Sequence, residues 1–195
     1  MNDVLALAEE NQGKAWRVVE ASGLIAAWES IGAEVHLVGS LKTGLLMKHR
    51  DIDFHIYTAK LEPEKSFAAM AKIAANPAVE RMTYGNLAAT DEHCFEWHAW
   101  FRDADGELWQ LDMIQIERGT FYDGYFERVA ERISAVLTPE LKLAILTVKN
   151  DTPETEKVMG IEYCQAVIRD GVRTWPEFAE WRKLHPAGGI VDWMP

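Results

Sequence analysis

Val38-Gly39-Ser40-Leu41-Lys42-Thr43-Gly44-Leu45-Leu46-Met47-Lys48-His49-Arg50-Asp51-Ile52-Asp53-Phe54 is the stretch that decides both fold and chemistry. Just before it, Glu34 to Val38 reads as a short strand that stops at Gly39-Ser40, and a short helix is expected over 41–48. Glycine lets an anion approach the backbone, serine adds a hydroxyl donor, and a helix N-terminus presents free N–H groups. Together they predict a small phosphate cradle. Ten residues separate Ser40 from Asp51. Asp51-Ile-Asp-Phe-His-Ile-Tyr57 then alternates polar and apolar residues, so the Asp51 and Asp53 carboxylates share one face of a strand. Two carboxylates side by side repel each other unless a cation lies between them. Hard oxygen ligands suit Mg²⁺ or Mn²⁺, above all when phosphate oxygens complete the shell. Either dipeptide alone is commonplace on a solvated strand or turn. Their order and spacing on these elements describe a metal–nucleotide site.

Working outward, the first thirty residues read as helix, with Val4, Leu5, Trp16, Val19, Leu24 and Trp28 on an apolar face and Gly13 and Gly23 as candidate breaks. Pro63 to Ala75 reads as a further helix and Val79 to Tyr84 as a strand. Cys94 to Phe101 and Leu108 to Ile116 form the clearest hairpin, turning at Asp103-Ala-Asp-Gly106 by a two-residue turn or a longer loop. Within the second of these strands Asp112 is a charged residue in a largely apolar run, where burial is costly without a cation or a hydrogen-bond partner. The alternative is that it faces solvent beside Gln110.

After Glu117 the pattern turns helical. Tyr125, Phe126, Val129 and Ile133 mark one helix. Thr138-Pro-Glu140 opens the next, and Thr152-Pro-Glu154 repeats the device before a helix expected to reach Arg169. Thr174-Trp-Pro-Glu177 has capping-box spacing before a last short helix. The expected architecture is α/β (α+β), a small mixed sheet flanked by helices. It comprises a core over 1–118, a helical subdomain packed on it over 119–185, and an irregular tail over 186–195.

The chain has 195 residues, 48% of them hydrophobic, which suffices for a sizeable core. No run of about 18 apolar residues is present, so no transmembrane helix is expected. The acidic opening MNDVLALAEENQ does not resemble a signal peptide, and a cytoplasmic protein without membrane contact is expected. Cys94 and Cys164 lack disulfide or zinc spacing and have no catalytic setting. Residues 1–90 carry 9 basic against 11 acidic residues, whereas 91–195 carry 11 against 20. That acidic second half repels a polyanion and attracts a cation, unless it serves only solubility. There is no basic stripe of the kind nucleic-acid binders use, so no nucleic-acid partner is expected.

The segment Val38, Gly39, Ser40, Asp51, Ile52, Asp53, Phe54 resembles the signature of the nucleotidyltransferase superfamily typified by DNA polymerase beta. The wording His49-Arg-Asp-Ile-Asp53 is similar to that of small antibiotic-modifying members, including lincosamide and aminoglycoside nucleotidyltransferases. The resemblance is specific over seventeen residues and rests on element order beyond them. It implies a third carboxylate on an adjacent strand, for which Asp112 is the candidate. It also implies transfer of a nucleoside monophosphate from ATP or another NTP to a hydroxyl. Asp51, Asp53 and Asp112 would then hold Mg²⁺ or Mn²⁺, with Gly39, Ser40 and Lys42 at the phosphates. The acidic half suits a small, cationic acceptor. A protein acceptor, as in antitoxin-like members, and an inactive nucleotide-binding domain are the alternatives. A second subunit, in a homodimer, could complete the site.

Other residues stay open. Arg50 points away from Asp51 on a strand, which favours a structural ion pair. Lys142 or Lys149 could approach a triphosphate from the helical part, with nothing local to favour either over plain solvation. His55 shares the Asp51 face and could be a substrate contact or a satisfied structural histidine. His98 lies opposite Asp112 only if the hairpin register puts it there. Trp97, Trp100, Phe101 and Trp109 are core or sheet-surface rings, one or two of which could stack on a base.

Overall fold

The computed structural model describes residues 3–186 and 191–195. Two helices open the chain, α1 (Asp3–Ser22) and α2 (Leu24–Glu29). Gly23 parts them at φ 68°, a left-handed conformation that glycine adopts without strain. Gly13, the other candidate break, stays inside α1. Next come β1 (Glu34–Leu37), α3 (Gly39–Lys42), β2 (Asp51–Thr58) and α4 (Pro63–Ala74). Three strands follow, β3 (Val79–Asn86), β4 (Cys94–Arg102) and β5 (Leu108–Glu117). The rest is helical: α5 (Tyr125–Val136), α6 (Pro139–Asp151), α7 (Gly160–Cys164) running into a π-helical turn over Gln165–Arg169, and α8 (Trp175–Leu184).

The strands make one mixed sheet in the order β1-β2-β5-β4-β3. β2 and β5 run parallel and every other neighbouring pair is antiparallel. The β4–β5 connection is a loop rather than a two-residue turn. Asp103 organises it by accepting from the Asp105 and Glu107 amides at 3.0 and 2.8 Å. Strand alternation gives the sheet two unlike faces. One carries Ile52, Phe54, Ile56, Leu111, Met113, Phe95, Trp97 and Phe101, buried in one cluster with Val18, Leu24 and Trp28 of the first two helices and Met70 of α4. Removing each such side chain from water stabilises the fold by roughly 1.5–3 kcal/mol. The opposite face carries Asp51, Asp53, Asp112, His98 and Glu96. The apolar face thus anchors the sheet so that the polar one can be held open as a cleft.

A second cluster joins the helical part. Ile145, Leu146, Tyr163, Val167, Phe178 and Trp181 pack there with Ala8 of α1 and with Leu45 and Met47. The last strand ends at Glu117, and packing runs across the expected boundary at 118: the first turns of α1 and the loop after α3 belong to the helical core. In the tail, Asp192 accepts from the Tyr125 hydroxyl at 2.6 Å and Trp193 packs on the same core. Gly188-Gly189, expected to be irregular, lie outside the described residues.

Two elements differ from expectation: the helix expected over 41–48 is the single turn α3, and a later helix starts further on. The helix predicted to start at Thr152 starts at Gly160. Thr152 is spent on ending α6, its hydroxyl donating to the Val148 carbonyl at 2.7 Å. Its ψ of 126° is the extended value that a following proline favours. Residues 153–159 instead form a strap across the cleft. Arg182 of α8 pins it through Glu156 at 2.8 Å and the Lys157 carbonyl at 2.9 Å. The other two caps form as read. Thr138 accepts from Leu141, and Thr174 and Glu177 make the capping box. Among the described residues no helix is long and apolar enough to cross a membrane.

Candidate active site

The parallel β2–β5 ladder pairs Asp53 directly with Asp112, and Asp51 sits two residues earlier on the same face. The three carboxylates therefore line one side of the two central strands. The turn after β1 lies against them. The Val38 amide donates to the Asp53 carbonyl at 2.9 Å, and the Ser40 amide donates to the Asp53 side chain. Gly39 has φ +67°, and a Cβ built there would lie 2.0 Å from Asp53 Oδ2. The glycine is thus required twice, for its backbone and for the space the carboxylate occupies. Gly39→Ala is expected to cost several kcal/mol of stability, because φ strain adds about 1–3 kcal/mol to the steric clash. A melting temperature within a degree of wild type would refute that account.

Lys149, in the last turn of α6, completes the cradle from the helical side. Its Nζ donates to Ser40 Oγ and to the Leu45 carbonyl, both at 2.9 Å. An ammonium has three protons, so one remains. Burial pulls its pKa down, and the charges of Asp51 and Asp53 pull it back up. Gly160, at the start of α7, closes over the same serine. A Cβ there would lie 3.2 Å from Ser40 Oγ. Lys149 is buried at the site, not merely solvated. Beside Ala144, Ile145 and Val148 it is a lysine where an apolar residue is expected, but Lys142, seven residues earlier, shares that face, so the sequence does not single it out.

Asp53 bears the electrostatic cost of the arrangement. Burial, then Asp51 and then Asp112 disfavour its charge and push its pKa up to about 7, with Lys149 and the Ser40 amide opposing. Among the described residues no three His, Cys, Asp or Glu side chains converge into a ready-made coordination shell. The donors nevertheless fit a hard divalent cation. They are carboxylate oxygens on one face, one of them destabilised as an anion, and phosphate and water oxygens would complete the shell.

Two cavities meet at Ser40, Asp51, Asp112 and Lys149. One, of about 560 Å³, is walled by Ile114, Ile116, Phe126, Ile133, Ile145 and Ile161, with Glu92 and Glu96 also lining it. The other, of about 470 Å³, is polar, with His49, Arg50, Gln110, Glu154, Glu156 and Lys157.

The remaining candidates separate. Lys42 is exposed at the end of α3 and lines neither cavity. The helix begins at Gly39 rather than 41, which leaves Lys42 closing a single turn. Arg50 pairs with Glu107 of β5's approach, the structural role expected of it. Lys142 lies by Gly44, away from both cavities. His55 lines the apolar cavity with its Nδ1 3.8 Å from Glu127 Oε1. The hairpin register places His98 directly opposite Asp112, and its Nδ1 lies 2.5 Å from Asp112 Oδ1. Trp97, Phe101 and Trp109 are buried, while Trp100 is covered by the Arg81 guanidinium at 3.6 Å. The Phe and Tyr rings lining the apolar cavity are instead Phe54, Tyr122 and Phe126. Cys94 and Cys164 also line it, but burial pushes their thiols up to about 12 and about 11, so neither is a thiolate at neutral pH.

No protein-family model matches the chain. No curated protein matches it either. Solved structures match in fold. The Cid1 poly(U) polymerase bound to MgGTP aligns with a TM-score of 0.58 at 15% identity, over 85% of this chain and 55% of that one. A cytoplasmic RNA terminal U-transferase gives 0.55 at 15% identity, over 86% and 53%. The poly(A) polymerase GLD-2 in its complex with GLD-3 gives 0.51 at 14%, over 86% and 58%. The chain thus spans about half the length of these structures. At this identity the likeness is one of fold, a mixed sheet flanked by helices.

Proposed function

We propose that this chain is a nucleotidyltransferase, moving a nucleoside monophosphate from an NTP such as ATP to a hydroxyl of a small molecule, with Mg²⁺ or Mn²⁺. One observation carries the reading: Asp51, Asp53 and Asp112 share a sheet face against a Gly39-Ser40 turn that a buried Lys149 grips from the other side. Ser40, its neighbouring amides and Lys149 bind the β- and γ-phosphates. Asp51 and Asp53 would hold the cation, and Asp112 would complete the metal site that activates the acceptor hydroxyl. The acceptor oxygen bonds to the α-phosphorus, the bond to the β-phosphate oxygen breaks, and pyrophosphate leaves. The hydroxyl proton passes to a carboxylate or to water. The metal would neutralise charge on the attacking and leaving oxygens.

The apolar cavity supports a small acceptor. Among the described residues lining it, Lys149 is the one Lys or Arg, and Glu92 and Glu96 are in its wall as well. A phosphate chain entering there would meet carboxylates, whereas an apolar body bearing hydroxyls or an amine would meet matching walls. RNA is the second reading, because the fold neighbours are named as poly(U), poly(A) and RNA terminal transferases. A protein acceptor is the third.

The test begins with melting curves in ATP, GTP, CTP and UTP, with and without Mg²⁺ or Mn²⁺, for wild type and Asp51→Ala/Asp53→Ala. Nucleotide at 100 times its dissociation constant adds about 2.7 kcal/mol. A metal-dependent rise confined to wild type is expected. The α-³²P-labelled form of that nucleotide is then offered with hydroxylated amines, RNA oligomers and cell protein. Label on a small molecule is the expected result, and label on RNA or protein alone would replace the acceptor assignment. The absence of any nucleotide-induced shift would count against the reading itself.

A further inference from the structure

Asp112 reaches the site already held on one side. Its Oδ1 accepts from His98 Nδ1 at 2.5 Å and from Gln110 Nε2 at 2.7 Å. No hydrogen bond of the described residues goes to Oδ2. The two donors come from different directions. His98 is the cross-strand partner of Asp112 on β4, and Gln110 stands two residues back on β5, on the same face. Rotation of the Asp112 side chain about either of its torsions breaks both bonds together. A bare aspartate on a strand would have no such restraint.

The pairing also selects an oxygen. Two donors on Oδ1 leave it little capacity for a cation, because both approach with positive charge density where a ligand bond would form. Asp112 therefore offers Oδ2 alone. Asp51 and Asp53 lie on the other neighbour of β5, strand β2, so His98 holds Asp112 from the side away from them, while Gln110 holds it along β5 from the position paired with Asp51.

We infer that His98 and Gln110 are positioning residues: they lock the Asp112 carboxylate so that it serves the site through Oδ2 only. The inference rests on the proposed nucleotidyl transfer, in which Asp112 is a metal ligand. Hydrogen-bond partners behind a ligand commonly change metal affinity 10- to 100-fold when removed, which sets roughly the expected effect.

The experiment measures Mn²⁺ binding, by loss of the free-ion EPR signal, with α,β-methylene ATP present, for wild type, Asp112→Asn, His98→Ala, His98→Asn and Gln110→Ala. Asparagine places an amide N–H near the position of the histidine Nδ1–H, whereas alanine removes the donor. Asp112→Asn and His98→Ala should both weaken Mn²⁺ binding roughly 10- to 100-fold. His98→Asn should restore most of that loss, and Gln110→Ala should show a smaller loss. A merely structural histidine would give equal affinities for the alanine and asparagine variants, and that result overturns the inference. Wild-type affinity in both His98→Ala and Gln110→Ala also overturns it. Gln110→Ala leaves the β4–β5 pair intact, so it decides the matter should His98→Ala fail to fold. Unchanged binding in Asp112→Asn would instead remove the proposed role of Asp112, and the inference with it.

Discussion

Asp53→Asn is expected to raise the melting temperature of the metal-free protein at pH 8 and, in the same molecule, to abolish its metal-dependent response to nucleotide. The first effect follows from where the carboxylate sits. Burial and the charges of Asp51 and Asp112 hold its pKa near 7, above the ordinary 3.8. A raised acid pKa means that the native state binds the proton more tightly than the unfolded chain does. Stability contributed by this group is therefore greatest in acid and falls as pH rises between about 4 and 7. The shift taken at face value gives about 4 kcal/mol, and water access to the cleft with charge sharing among the three acids reduces it to about 2 kcal/mol. For a chain of this size that is a rise of roughly 4–8 °C in the variant at pH 8. At pH 4 the two proteins should melt together. The amide still accepts from the Ser40 N–H, so the backbone contact survives. Melts in EDTA across pH 4 to 9 test this, and parallel curves for the two proteins would sink it.

The second effect is the counterpart of the first. A site that is destabilised as an anion when empty is one that gains most from a cation, so under the proposed function the same repulsion that costs stability would drive metal uptake. Replacing one charged ligand of the triad should lower any turnover about 10³-fold or more, equivalent to about 4 kcal/mol of transition-state stabilisation. Stability and function thus pull in opposite directions at one residue, an outcome ordinary for a site evolved to bind rather than to pack.

How much of this could be read from the chain differs by element, for physical reasons. β2 was legible because its residues alternate: Asp51, Asp53 and His55 go to one face of the sheet and Ile52, Phe54 and Ile56 to the other, apolar one. The Gly39-Ser40 turn and the Asp pair were legible because spacing along a short segment fixes their neighbourhood. Asp112 was legible as a charge in an apolar strand. The position of His98 was not, since a hairpin loop of uncertain length leaves the register free until the two strands are paired. The strap at 153–159 was misread because Thr-Pro-Glu is the same local signal at 138 and at 152. Only the tertiary pins from Arg182 and the end of α6 distinguish the two. Lys142 and Lys149 could not be separated by local sequence, as both sit on α6. The helical core turns one toward Ser40 and leaves the other by Gly44.

That distinction makes Lys149→Met the second decisive substitution. Methionine keeps most of the length and bulk and removes the charge. Lys149 Nζ now spends two bonds on Ser40 and the Leu45 carbonyl, and a third proton remains for a phosphate oxygen. A charge-assisted hydrogen bond contributes about 1.5–3 kcal/mol, so the dissociation constant of Mg-NTP should rise about 100-fold. Ser40→Ala should cost less, because it removes a neutral hydroxyl and leaves the ammonium. Arginine should not substitute. Nζ sits between Ser40 Oγ, the Leu45 carbonyl and the Tyr163 ring 5.6 Å away, a seat for a compact ammonium, not for a planar guanidinium. Calorimetric titration of wild type, Lys149→Met, Lys149→Arg and Lys42→Met with Mg-NTP separates the candidates. Lys42→Met should bind as wild type, since its side chain is exposed and lines neither cavity. If Lys149→Met also bound as wild type, the phosphates would have to lie elsewhere in the cleft, and the buried ammonium would be no more than a counter-ion to Asp51 and Asp53.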